Sequence, residues 1–276
     1  MSFKLHIIAA LLLAVSSSSV FAAQDKIEYL ALGDSVAFGY DPTVLVPIES
    51  NFIGYPEIVA ERAKKQFSGL MSLACPGQTS GSFLLTTAAE PLKGCRVFRS
   101  VAPLHTAYSG SQADYAVELL NSKPSIKLVT IGIGGNDLLL LQETCHNDPV
   151  CIFGGLPATL AAYRANLITI FRRIREEARY HGRMVLVTYY SPDYRDPIQT
   201  GGIAALNAVA LQVATLFGAK IADGFSAFMI ASIPNGGDSC AAQLLVPGGP
   251  PCDVHPSPKG RDLLADAVLR LLPGTK

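Results

Sequence analysis

The chain has no surplus of charge of either sign: 22 Lys and Arg stand against 22 Asp and Glu in 276 residues, and no basic run occurs. Nucleic-acid binders concentrate positive charge on one face or helix, so that class is excluded and a small molecule or polymer is the partner to expect. No uninterrupted apolar run reaches the roughly 18 residues that a membrane-spanning helix needs. A Cys-x-x-Cys pair is also missing, and the five histidines do not cluster with the six cysteines. Structural zinc is therefore not expected, and no other metal or cofactor is called for. Beyond Ala23 there is no low-complexity linker, repeat or break in composition, which favours one domain over residues 23–276 rather than two. A monomer is expected.

What is present begins with a leader. Lys4 and His6 precede the apolar run Ile7 to Val15, followed by four serines and Val20-Phe21-Ala22. The run is too short to span a bilayer, and Val20 and Ala22 suit the −3 and −1 places of a cleavage site. Residues 1–22 thus read as a secretory signal peptide, with a retained anchor as the alternative, and the mature chain is expected in a periplasm or outside the cell. An even number of cysteines in an exported chain favours disulfides. The cysteines fall into three neighbouring pairs, which suggests Cys75 with Cys95, Cys145 with Cys151, and Cys240 with Cys252.

Apolar runs alternate with helical patterns. Ile27–Leu32, Gly69–Ala74, Ile126–Ile133, Arg183–Tyr189 and Lys220–Asp223 read as strands. Tyr55–Phe67, Gln112–Leu120, Leu156–Tyr180, Ile203–Phe217 and Arg261–Leu272 read as helices. Near-continuous apolar strands separated by helices predict an α/β fold, a mainly parallel sheet covered on both faces. Sites on such sheets lie beyond the carboxyl ends of the strands, so residues that directly follow a strand become candidates for chemistry.

Gly-Asp-Ser occurs twice. Ser35 follows the first strand on a turn opened by Gly33, whereas Ser239 follows a Pro-Asn-Gly-Gly loop with no strand before it. Ser35 is the better candidate, although a lone serine there also suits a turn or a helix cap. The Gly-x-Ser-x-Gly elbow is absent, because Ala37 replaces its second glycine. Gly77, in Ala-Cys-Pro-Gly, follows the second strand and could bring its N–H close to a substrate. Asn136 follows the third strand and Gly134-Gly135, and its amide could donate to an oxyanion; the spacing does not fit the dinucleotide pattern G-x-G-x-x-G. His255 stands before the last helix, with Ser257 and Pro258 suited to the helix start.

Together, Gly-Asp-Ser, Ala-Cys-Pro-Gly, Gly-Gly-Asn-Asp and Asp-x-His-Pro, in this order over nearly the whole mature chain, resemble the SGNH, or GDSL, family of esterases and lipases. The local cysteine pairs are similar to those of some secreted members. The resemblance implies a three-layer α/β/α sandwich with a flavodoxin-like sheet. It implies Ser35 as nucleophile, His255 as general base, and the N–H of Ser35, the N–H of Gly77 and the Asn136 amide as oxyanion hole. The substrate implied is a small-molecule or lipid acyl ester. A carbohydrate O-acetyl esterase using the same residues, and a binding protein that keeps the fold without turnover, are the alternatives. One departure stands out. The family commonly has its aspartate three residues before the histidine, where this chain has Cys252. Asp253, two before, would share a side with His255 in an extended segment, and a backbone carbonyl or a distant acid could orient the ring instead.

Overall fold

The computed structural model describes residues 27–85, 94–249 and 252–274; the signal-peptide reading of residues 1–22 lies outside them. Strand β1 (Ile27–Gly33) runs into a single-turn helix α1 (Ser35–Phe38), and α2 (Tyr55–Arg62) leads to β2 (Phe67–Ser72). Helices α3 (Cys95–Val101) and α4 (Gln112–Ser122) precede β3 (Ile126–Gly132). Helices α5 (Gly135–Thr144) and α6 (Pro149–Arg172) precede β4 (Arg183–Val187), α7 (Pro197–Leu216) precedes β5 (Lys220–Ala222), and α8 (Gly224–Ser232) and α9 (Pro258–Leu269) follow. The strands lie in the order β2-β1-β3-β4-β5, every pair parallel. That is the flavodoxin-like order, whose switch point falls between β1 and β3.

Alternation along β1 explains the layering. Tyr29 and Ala31 point into one buried cluster with Val59 of α2, Phe228 of α8 and Val268 of α9. Leu30 and Leu32 point into a second with Ala116 of α4, Phe171 of α6 and Leu206 of α7. From Tyr29 onward the β1 side chains are thus taken from water whichever way they face, at about 1.5–3 kcal/mol for each large apolar group. The buried Tyr29 hydroxyl is satisfied across the sheet by the Thr130 hydroxyl at 2.8 Å. Among the described residues, no helix is long and apolar enough to cross a membrane. The cysteines join as Cys75–Cys95, Cys145–Cys151 and Cys240–Cys252.

Several boundaries differ from the sequence expectation. Helix α2 stops at Arg62, and β2 begins at Phe67 rather than Gly69. Helix α6 begins at Pro149 instead of Leu156, because Asp148 caps it by accepting the Cys151 N–H at 2.8 Å and Pro149 fits the first turn. Its last stretch, Arg173–Glu177, winds as a π-helical turn. Helix α7 begins six residues early at Pro197 behind its cap Asp196. Helices α3, α5 and α8 had no sequence signal. The leucines Leu138 to Leu141 of α5 run on consecutive positions and α8 is apolar nearly all round, so neither carries a single apolar stripe.

Candidate active site

The carboxyl edge of the sheet collects the candidates one strand at a time. At the end of β1 the chain turns so tightly that a Cβ on Gly33 would stand 2.2 Å from the Gly132 carbonyl oxygen of β3. The buried Gln112 amide clamps this turn, accepting the Gly33 N–H at 2.7 Å and donating to its carbonyl at 3.0 Å. Asp34 then caps α1 through the Val36 N–H at 3.0 Å. Ser35 is consequently the first residue of a helix, and its N–H has no intrahelical acceptor. Ser35 lines a cavity and is only 7% exposed.

Gly77 follows β2 with φ +76, and a Cβ there would stand 2.4 Å from the Gly94 Cα, so both backbone angle and space demand glycine. Among the described residues, no acceptor takes the Gly77 N–H. The loop is tied to β1 by the Cys75 N–H to Gly33 carbonyl bond at 3.1 Å and to α3 by Cys75–Cys95. It is tied to α5 by Asp137, which accepts the Ser80 N–H at 2.8 Å and the Ser80 hydroxyl at 2.6 Å.

Asn136, in the first turn of α5 after β3, donates through Nδ2 to the Gln78 carbonyl at 2.9 Å and to Asp34 Oδ2 at 3.2 Å. Both amide hydrogens therefore have protein acceptors, and the bond to Asp34 is the longer. Asp34 also accepts the Tyr189 hydroxyl at 2.5 Å. Burial pushes the Asp34 carboxyl from 3.8 up to about 6, against the opposing pull of Tyr189 and the Val36 N–H. Burial also drives the Tyr189 phenol well above its ordinary value, which keeps it protonated as the donor.

His255 arrives from the loop before α9. Its ring Nδ1 is hydrogen-bonded to Asp253 Oδ1, and the same oxygen accepts the His255 N–H at 3.0 Å. The pair forms in a bend and not in the extended segment anticipated from the spacing: one carboxylate oxygen collects backbone and ring together. With the carboxylate on Nδ1, Nε2 is the ring nitrogen left to accept a proton. The hydrogen bond from His255 holds the Asp253 carboxyl below the usual range. The loop is fixed by Tyr190, whose hydroxyl donates to the Val254 carbonyl at 2.6 Å, and by reciprocal backbone bonds between Val246 and residues 253 and 255. The Tyr40 ring packs edge-on against the imidazole, with centroids 4.9 Å apart.

Ser35, Gly77, Asn136 and His255 all line one cavity of about 770 Å³. Ser239 is not in its lining: it is fully buried and donates its hydroxyl to the Ser191 carbonyl at 2.8 Å, a structural bond. Asp34, Gln112 and Tyr189 entered the site without having been assigned a part from sequence. Tyr189 could have been found by the strand-end rule, since it lies two residues beyond β4.

A flavodoxin-like sheet with these side chains gathered at its carboxyl edge places the protein among the α/β/α hydrolases. The chain belongs to the GDSL-like Lipase/Acylhydrolase family, whose model matches residues 31–263, and it is a carboxylic ester hydrolase. Phospholipase A1 from Streptomyces albidoflavus superposes with a TM-score of 0.57 at 20% identity, over 91% of this chain and 100% of that one. The extracellular lipase of Streptomyces rimosus gives 0.54 at 20% identity, over 87% and 99%. An acetyl-xylooligosaccharide esterase from Geobacillus stearmophilus gives 0.51 at 18% identity, over 90% and 95%. At these identities the likeness is one of fold. No curated protein matches the sequence significantly.

Proposed function

We propose that the protein is a secreted serine esterase in which Ser35 attacks the acyl carbon of an ester. His255 Nε2 takes the Ser35 proton, the Oγ–acyl bond forms, and the carbonyl oxygen gains negative charge. Collapse breaks the ester C–O bond, the alcohol leaves with the proton from His255, and water repeats the sequence to release the acid. Asp253 fixes the imidazole by its Nδ1 and stabilises the imidazolium. The N–H groups of Ser35 and Gly77 and one N–H of Asn136 receive the oxyanion. For Asn136 this requires giving up, or sharing, its 3.2 Å bond to Asp34, which is the weaker of its two.

The observation that carries this reading is that His255, held by Asp253, lines the same cavity as Ser35. Three disulfides support an oxidising compartment, and the likeness to an extracellular lipase agrees with export. A fluorophosphonate probe tests the assignment: it is expected to label Ser35, with labelling and ester hydrolysis both lost in Ser35→Ala. Wild-type rates in folded Ser35→Ala would overturn it.

A further inference from the structure

The structural neighbours include a phospholipase A1 and an acetyl-xylooligosaccharide esterase. The cavity beside Ser35 distinguishes between them. Its volume of about 770 Å³ is far more than an acetyl group fills and lies in the upper part of the range of ordinary ligand pockets. Away from the Ser35–His255 edge, its walls come from α3, α5, α6 and α7 and are built of side chains such as Phe98, Leu138, Leu156, Ile203 and Leu206. No Lys, Arg or Glu lines it among the described residues, and Asp34 is the one aspartate. Away from the polar groups at the Ser35–His255 edge, Gln142 and Gln199 are the amide side chains on walls that are otherwise largely apolar, so a saccharide would find few partners for its hydroxyls, whereas an acyl chain asks only for removal from water.

Two further features fit a chain that enters from solvent. Its lining includes apolar side chains that folding leaves in water: Val101 on α3 is 67% and Phe153 on α6 65% exposed. On the α7 wall, Gly201 and Gly202 stand side by side inside a helix, where glycine is unfavourable relative to alanine. A Cβ on either would meet no atom within 4 Å, so protein packing does not demand glycine there. Both positions line the cavity.

We infer that this cavity is the acyl-chain site, and that the enzyme acts on esters of octanoyl or longer acids in preference to acetyl esters. The inference rests on the reading of Ser35 as the nucleophile and adds to it the substrate class. Each methylene lodged against these walls is expected to raise kcat/KM by roughly four-fold until the cavity is filled.

The test is kcat/KM for p-nitrophenyl acetate, butyrate, octanoate and palmitate, together with fluorophosphonate labelling. With six methylenes more, octanoate is expected to be preferred over acetate by on the order of a thousand-fold where all are lodged, and a preference below about ten-fold counts as a flat profile. Gly202→Leu, which fills the α7 wall, is expected to reduce the octanoate-to-acetate ratio by about ten-fold or more. Gly154→Leu serves as the comparison: its Cβ also meets nothing within 4 Å but it does not line the cavity, so its ratio should equal that of wild type. A wild-type profile that is flat or favours acetate overturns the inference and leaves Ser35 as nucleophile standing. A ratio untouched by Gly202→Leu in folded protein does the same. A protein that neither labels nor cleaves any of the four esters overturns the parent reading, and this one with it.

Discussion

Tyr189, at the exit of β4, donates its hydroxyl to the Asp34 carboxylate at the exit of β1, 2.5 Å away and 155 residues earlier in the chain. Asp34 in turn holds the Asn136 amide, so Tyr189 and Asn136, which follow different strands, are coupled through one carboxylate. Loss of the Tyr189 hydroxyl leaves Asp34 with one donor fewer and gives it a stronger claim on Asn136. Tyr189→Phe is expected to lower kcat roughly ten-fold, the worth of one hydrogen bond to a charged group, with KM changed less. Steady-state kinetics on one ester, with circular dichroism to verify folding, checks this; an unchanged kcat would remove Tyr189 from the mechanism.

Asp34 also makes stability depend on pH in an unusual direction. Its folded value of about 6 lies above the ordinary 3.8, so between these values the native state binds more protons than the unfolded one. Stability from this group is therefore lost as pH rises from about 4 to 7. Asp34→Asn removes the ionisation and should gain on wild type by roughly 2 to 3 kcal/mol across that interval. Urea denaturation of both proteins at pH 4 and pH 7 measures the difference, and the common contribution of other groups cancels in it.

Asn136→Ala should cost about a hundred- to a thousand-fold in kcat, the usual effect of removing an oxyanion donor. Because both of its hydrogens are already bonded in the resting enzyme, the same change also leaves Asp34 and the Gln78 carbonyl each short of a partner. A measurable loss of stability is expected beside the loss of rate, and thermal unfolding of the variant would reveal it.

Asp253→Asn keeps the shape of the loop but replaces the carboxylate that accepts from His255 Nδ1. A drop in kcat of about ten thousand-fold is the expected outcome if the carboxylate fixes the tautomer, as in the triads of serine proteases. The His255 bond also depresses the Asp253 carboxyl, so its stabilisation is present above the ordinary aspartate range and disappears as pH falls through the lower folded value. Wild-type protein should accordingly outlast Asp253→Asn at neutral pH and lose that advantage in strong acid. Activity close to wild type in Asp253→Asn would transfer the orienting task to another group.

The Cys75–Cys95 bond closes a loop of 20 residues that carries Gly77. Replacing both cysteines by serine should destabilise the protein by about 3 kcal/mol in the chain-entropy account. Since the bond also fixes the Gly77 N–H near the cavity, kcat should fall even at temperatures where the variant stays folded. Parallel measurement of Tm and kcat separates the two effects.

Strands β1, β3 and β4 could be read from the sequence because each is a largely apolar run buried on both faces, a pattern that survives without knowledge of neighbours, whereas β2 and β5 are short and partly exposed. The helices with one apolar stripe, such as α4, were legible for the same reason. Helices α3, α5 and α8 were not: α3 is short, α5 runs four leucines on consecutive positions and α8 is apolar nearly all round, so none shows a single apolar stripe. Ser35, Gly77, Asn136 and His255 stood out as residues next to strand ends or a helix start. Asp34 stands in the same motif, yet its part is not legible there, because its three donors come from Val36, Asn136 and Tyr189, and two of these are remote in sequence.

The sequence by itself determined the alternation of strands and helices, the local pairing of cysteines and the order of the motifs, because these depend on interactions between residues close along the chain. Only the tertiary structure decided which serine of the two Gly-Asp-Ser motifs opens onto a cavity, which acceptors hold the Asn136 amide and how large and apolar the space beside Ser35 is. Those features arise where ends of different strands converge. Burial and distance there follow from the packing of the whole sheet, and no single stretch of residues encodes them.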